Sequence, residues 1–240
     1  MFTSPAVKNP IIAALDVPDA EEAIKLAEAI APAVGAFNIG KELFVSAGPD
    51  IIKRVRDIGA AVFLDLKFHD IPNTVAKAVA SAVRLDVQML TVHTCGGSTM
   101  LERALEGANE AAAETGNEAP LILGVTVLTS MDESDLAEVG VPKQPEDQVT
   151  HLAQMATKAG LKGLVCSPKE ITPLREVLPS EVQLVTPGIR PAGADTGDQK
   201  RVMTPADAIG AGANWLVIGR PIYGAENPRE AAEAILDSLN

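Results

Sequence analysis

Eight short runs rich in Val, Ile, Leu and Ala, each followed by a longer amphipathic stretch, limit what this chain can become more than any other feature. The runs are Ile11–Asp16, Ala36–Gly40, Ala61–Lys67, Gln88–His93, Leu121–Leu128, Gly163–Ser167, Val182–Gly188 and Trp215–Gly219. They are near-continuous rather than alternating, the pattern of parallel strands covered on both faces. Between them Pro18–Ala33, Pro49–Ile58, Pro72–Leu85, Ser98–Thr115, Pro145–Ala159, Pro168–Leu178, Pro205–Gly210 and Pro228–Leu239 read as helices. Ser98 or Thr99 is the expected N-cap of the fourth helix. Eight strand–helix units in 240 residues predict an α/β fold, a closed (β/α)8 TIM barrel. A doubly wound open sheet would carry a Gly-rich turn after its first strand, where Leu15-Asp16-Val17-Pro18 stands instead. No linker or shift in composition divides the chain, so residues 1–240 are expected to form a single domain.

A barrel of this kind carries its chemistry on the loops at the C-terminal ends of the strands. Those ends present Asp16, Asn38, Asp65, Lys67, Asp70, His93, Thr129, Ser130, Ser167, Pro187, Arg190, Gly219 and Arg220. The densest cluster lies in Phe63–Val75, where Asp65 and Lys67 share one face of an extended strand and Asp70 follows in the loop. Two carboxylates and an ammonium are costly to desolvate, and their grouping at a strand end points to chemistry beyond a structural ion pair. A second signal comes late in the chain. Gly188-Ile189-Arg190 and Ile218-Gly219-Arg220 each join a glycine, which permits close backbone approach, to an arginine suited to phosphate oxygens. They fall after strands seven and eight, where barrels often bind phosphate. Two long loops, Ser130–Pro145 and Arg190–Thr204, are candidate lids.

The net charge of −12 argues against nucleic acid or an anionic membrane as partner. Cys95 and Cys166 form no CxxC pair, and His69, His93 and His151 show no metal-ligand spacing, so no metal is expected. The first residues lack a basic segment leading into a long apolar run, and a cytoplasmic protein is expected.

The run Asp65–Thr74, DLKFHDIPNT, resembles the signature of the orotidine 5′-phosphate decarboxylase family. The likeness extends through LDV at Leu15–Val17, GKELF at Gly40–Phe44, VTVLTSM at Val125–Met131, TPGIRP at Thr186–Pro191, GDQKRVMTP at Gly197–Pro205 and VIGRPI at Val217–Ile222. It implies conversion of orotidine 5′-monophosphate to UMP in pyrimidine nucleotide synthesis, with neither metal nor cofactor. Lys67 would protonate C6 of the pyrimidine, and Asp65 would lie beside the substrate carboxylate. Asp70, Ile71 and Thr74 would complete the site of a neighbouring subunit, making the enzyme a homodimer. Asp16 would hold the nucleotide, Thr129 with Ser130 nearby would contact the base, and Pro187 would pack near it. Gln199 would bridge base and phosphate as its loop closes, and Arg190, Gly219 and Arg220 would take the phosphate.

One position departs from the family. A lysine is expected at the end of strand two, and Asn38 stands there, with Lys41 three residues on in the following loop. Asn38 could bond a ribose hydroxyl but carries no charge, which predicts impaired decarboxylation. The alternatives are a nucleotide-binding barrel with little or no activity, or a magnesium-dependent sugar-phosphate decarboxylase or aldolase that shares the Asp-x-Lys-x-x-Asp element.

Overall fold

A computed structural model describes residues 9–191 and 202–239, and in it eight parallel strands close into a barrel in sequence order. The strands are β1 (Ile11–Ala14), β2 (Ala36–Gly40), β3 (Ala61–Phe68), β4 (Met89–His93), β5 (Leu121–Val125), β6 (Gly163–Val165), β7 (Gln183–Thr186) and β8 (Trp215–Ile218). Closure is made by β1, which pairs with β2 on one side and β8 on the other. The α-helices are α1 (Ala20–Ile30), α2 (Lys41–Ala47), α3 (Asp50–Asp57), α4 (Pro72–Arg84), α5 (Ser98–Thr115), α6 (Glu133–Glu138), α7 (Pro145–Lys158), α8 (Ile171–Val177), α9 (Pro205–Ala211), α10 (Arg220–Tyr223) and α11 (Pro228–Asp237).

Alternate residues of each strand divide between two cores, as the two-residue strand period requires. Ile12, Ala36, Phe63, Met89, Leu123, Val185 and Trp215 pack together as one cluster, which fills the barrel. Their strand neighbours, among them Ile11, Phe37, Val62, Leu90 and Leu216, belong to the larger cluster shared with the helices. The indole Nε1 of Trp215 donates to Gln183 Oε1 at 2.8 Å, so the polar edge of this buried ring is satisfied. Following the interior parity upward leads from Ala36 to Asn38, from Phe63 to Asp65, and from Met89 through Thr91 to His93. The apolar filling therefore gives way to polar groups at the C-terminal mouth.

The structure departs from the sequence expectations mainly where strands become loops. Most strands stop one to three residues early, because the mouth residues leave the ladder; Leu121–Leu128 shortens to Leu121–Val125. Lys41 opens α2 rather than lying in a loop, and part of the Ser130–Pro145 segment is α6. The helix α6 is held by Asp132, whose carboxylate accepts from Ser134 N and Asp135 N. The N-cap of α5 is Gly97 at φ 84°, so Ser98 and Thr99 are already helical and neither caps it.

Strand β3 instead extends one residue beyond expectation, running through Phe68 with a bulge. Leu64 pairs with Leu90 and Phe68 with Val92, so Asp65, Leu66 and Lys67 together face the single residue Thr91. Lys67 takes φ 54°, a left-handed conformation uncommon outside glycine.

Candidate active site

The bulge brings Asp65 and Lys67 together by a different route from simple strand alternation. Lys67 Nζ donates to Asp65 Oδ2 at 2.8 Å, and both side chains are about three-quarters buried, with 25% and 21% exposed. Thr91 Oγ1 donates to Asp65 Oδ1 at 2.9 Å and accepts from Lys67 N at 2.9 Å. This pair stands in a cavity of about 200 Å³ whose other walls include Val125, Thr129, Ser167 and Pro187.

A second cavity of about 380 Å³ adjoins it, since Pro187 and Val217 line both. Its wall carries Asp16, Gly188, Arg190, Gly219, Arg220 and Tyr223. Gly188 sits at φ 78°, which suits glycine. A Cβ on Gly219 would lie 3.3 Å from the Tyr223 ring and 3.5 Å from Asp16 Oδ2, so the bare backbone keeps this wall open. Arg190 is buried, with Nη1 donating to Ile189 O at 2.8 Å and its backbone N donating to Met203 O at 3.0 Å.

Electrostatics tie the two cavities together. Asp16 is open to solvent at the rim, yet its pKa is raised above the ordinary 3.8, first by the protein displacing water around its carboxyl. The charges of Asp65 and Glu42 raise it further, while Lys67 and Arg220 oppose them. A carboxyl with a raised folded pKa favours folding fully below its unfolded value and loses that contribution as pH rises through the folded one. Asp16→Asn is therefore expected to melt higher than wild type at pH 7. The gap should close below pH 3.8 in thermal denaturation, where both side chains are neutral. The pKa of His93 is lowered by burial and by His69, Lys67 and Lys41, which favours a neutral ring beside the ion pair. Burial pushes the Cys166 thiol up to about 12, so this wall residue is an apolar group at neutral pH.

Asn38 is 4% exposed, and among the described residues its Nδ2 has no hydrogen-bond partner. A Cβ on Gly40 would be 3.9 Å from Asn38 Oδ1 and 3.6 Å from Asp16 Oδ1, so both side chains reach toward this glycine at the end of β2. Other expected residues stand apart from the two cavities. Ser130 lines a separate hollow with Asp135 and Glu138 of α6. Asp70, Ile71 and Thr74 are exposed on the surface, with Ile71 67% exposed and Asp70 Oδ1 accepting from Ile71 N at 2.6 Å. Gln199 lies outside the described residues. Among the described residues, no group of three His, Cys, Asp or Glu side chains is placed to hold a metal ion.

This pairing of a lysine–carboxylate cavity with a two-arginine cavity can be set beside known proteins. The sequence model of the orotidine 5′-phosphate decarboxylase / HUMPS family matches residues 9–235. The chain belongs to this family. The orotidine 5′-phosphate decarboxylase of Opitutus terrae is 53% identical over 229 residues, covering 95% of this chain and 97% of that protein. The Moorella thermoacetica protein of the same name is 52% identical, covering 95% and 91%. The crystal structure of orotidine 5′-phosphate decarboxylase from Lactobacillus acidophilus superposes with a TM-score of 0.86 at 38% identity, covering 97% of this chain and 99% of that one. These relatives are named for a carboxy-lyase of the family, and the barrel found here is the family's fold.

Sequence reasoning missed Thr91 and Tyr223 as site residues. It considered only strand ends, and Thr91 lies two residues inside β4, while Tyr223 belongs to the short α10. The interior parity shared by Met89, Thr91 and His93 was the available signal for the first.

Proposed function

We propose that this chain decarboxylates orotidine 5′-monophosphate to UMP in pyrimidine nucleotide biosynthesis, with Lys67 protonating C6. The observation that supports it best is the Asp65–Lys67 pair in a cavity adjoining one lined by Arg190 and Arg220. A nucleotide whose phosphate occupies the second cavity can extend its base into the first. Loss of carbon dioxide leaves an electron pair on C6 that the ring cannot delocalise. Catalysis must then supply stabilisation on the order of 20 kcal/mol for the most demanding reactions of this kind. Fixed charge and remote binding energy are the sources available to these side chains. The Lys67 ammonium faces the developing negative charge and then transfers a proton to it, while Asp65 aligns the ammonium beside the departing carboxylate. In this reading Asp16 holds the ribose, Thr129 reads the base with Pro187 packed near it, and Arg190, Gly219 and Arg220 bind the phosphate. The bridging role of Gln199 and the base contact of Ser130 rest on the resemblance alone. Ultraviolet absorbance after mixing with orotidine 5′-monophosphate and a chelator tests the proposal. Conversion unaffected by the chelator supports it, loss of activity favours a magnesium-dependent relative, and UMP binding without conversion favours a non-catalytic barrel.

The proposal includes a homodimer in which Asp70, Ile71 and Thr74 complete the neighbour's site. Its support is the exposure of Ile71, a large apolar side chain, beside Asp70 at the start of α4. Lys67→Ala and Asp70→Ala are each expected to be nearly inactive. Mixed and allowed to exchange subunits, they should recover about a quarter of wild-type activity, because half the dimers then carry one intact site. Absence of recovery would mean that each site is complete within one chain.

The proposal also holds that Asn38 leaves the charge network one cation short and slows decarboxylation. The reaction is assigned to the cytoplasm. Both cysteines are free, and among the described residues no helix is long and apolar enough to cross a membrane.

A further inference from the structure

The bulge in β3 poses a physical problem that one hydroxyl solves. Between the Leu64–Leu90 and Phe68–Val92 pairs, three residues of β3 oppose one of β4, so the regular ladder cannot satisfy the backbone there. Lys67 sits at φ 54° in that gap, and a non-glycine residue persists in such a conformation only where its surroundings over-determine it. The backbone N–H of Lys67 donates to Thr91 Oγ1, and that same hydroxyl donates its proton to Asp65 Oδ1. Asp65 Oδ2 in turn accepts from Lys67 Nζ, closing a ring that runs from the lysine backbone through threonine and aspartate to the lysine ammonium. Thr91 is fully buried among the interior positions of β4, and its single hydroxyl is used as both donor and acceptor.

We infer that Thr91 is a positioning residue that sets where the Lys67 ammonium points, by holding the lysine backbone and its carboxylate partner through one hydroxyl. Thr91 need not touch a substrate to do this. Its hydroxyl pins the Lys67 N–H in the left-handed turn and orients the Asp65 carboxylate so that Oδ2 faces Nζ. Without the hydroxyl, the Lys67 N–H loses its acceptor in a part-buried bulge, and the carboxylate becomes free to rotate. The ammonium then samples a wider volume, and a displacement of about 1 Å at a reacting group can cost about a hundredfold in rate. The inference rests on the proposed decarboxylase reading only for its kinetic readout, because the hydrogen-bond ring is a property of the chain itself.

Two near-isosteric variants separate positioning from packing. Thr91→Val keeps the volume and removes the hydroxyl; Thr91→Ser keeps the hydroxyl and removes a methyl group. With orotidine 5′-monophosphate as substrate, Thr91→Val is expected to lower kcat tenfold to about a hundredfold while UMP affinity stays within about threefold. Thr91→Ser should stay within about threefold of wild-type kcat, although it leaves a small cavity. Amide hydrogen exchange supplies a readout independent of activity. The Lys67 N–H should exchange much faster in Thr91→Val than in wild type and keep its protection in Thr91→Ser. Equal loss of kcat in both variants, or unchanged Lys67 exchange in Thr91→Val, overturns the inference. If wild type fails to turn over the substrate, the decarboxylase reading falls, and the exchange comparison alone decides whether Thr91 holds Lys67.

Discussion

Lys67→Ala is expected to turn over orotidine 5′-monophosphate at least about 10⁴-fold more slowly than wild type. General acid catalysis by a positioned group contributes about 10²–10⁴-fold, and a preorganised electrostatic donor about 10²–10³-fold. Lys67 supplies both roles in the proposed mechanism, so the two losses compound. UMP affinity should change far less, because the phosphate-side groups Arg190, Gly219 and Arg220 line the adjoining cavity rather than the one holding Lys67. Removal of the ammonium also leaves the Asp65 carboxylate without its 2.8 Å partner, while Thr91 still donates to it. Steady-state kinetics together with UMP titration check the prediction: a fall in kcat with nearly constant product affinity supports it. A parallel loss of both would assign Lys67 to binding.

Asn38→Lys is expected to act in the opposite direction and raise turnover about 10²–10³-fold. The size follows from the worth of one preorganised charge in a water-poor site. Asn38 is almost wholly buried, its Nδ2 has no hydrogen-bond partner among the described residues, and Asp16 across Gly40 already feels Asp65 and Glu42 as neighbouring negative charges. An unpaired buried donor costs roughly 1–3 kcal/mol, so the amide is a poor occupant of this position unless a ligand completes it. An ammonium there would add a second cation to the mouth that holds Asp16 and Asp65. Equal rates for Asn38→Lys and wild type would sink the impairment proposal and show that Lys67 alone suffices.

Much of this architecture is legible in the sequence, for a definite reason. Strands buried on both faces must be near-continuous in Val, Ile and Leu, so all eight announced themselves, and the order of short apolar runs and amphipathic stretches allowed one closed topology. Three of the short helices escaped notice. The α2, α6 and α10 segments span 7, 6 and 4 residues, too few for a 3.6-residue period to emerge from loop-like composition. The cap of α5 was misplaced by one or two residues because Gly97 takes a positive φ that leaves Ser98 and Thr99 inside the helix.

For the site, charge and strand position sufficed to single out Asp65, Lys67 and the two Gly/Arg pairs. The bulge did not show, since it depends on which residue of β4 faces β3, and that register is set by both strands together. For the same reason Thr91 was invisible to a reading confined to strand ends. Ser130 looked equivalent to its neighbour Thr129, yet the chain turns between them, and the two line different hollows.

The decisive experiment is to incubate the wild-type chain with orotidine 5′-monophosphate in heavy water containing a chelator and to examine the product by NMR. The mechanism predicts UMP carrying one deuterium at C6, delivered from the exchanged Lys67 ammonium, with release of carbon dioxide, and no such product from Lys67→Ala. Absence of UMP from the wild-type reaction, or its equal formation by Lys67→Ala, would contradict the mechanism.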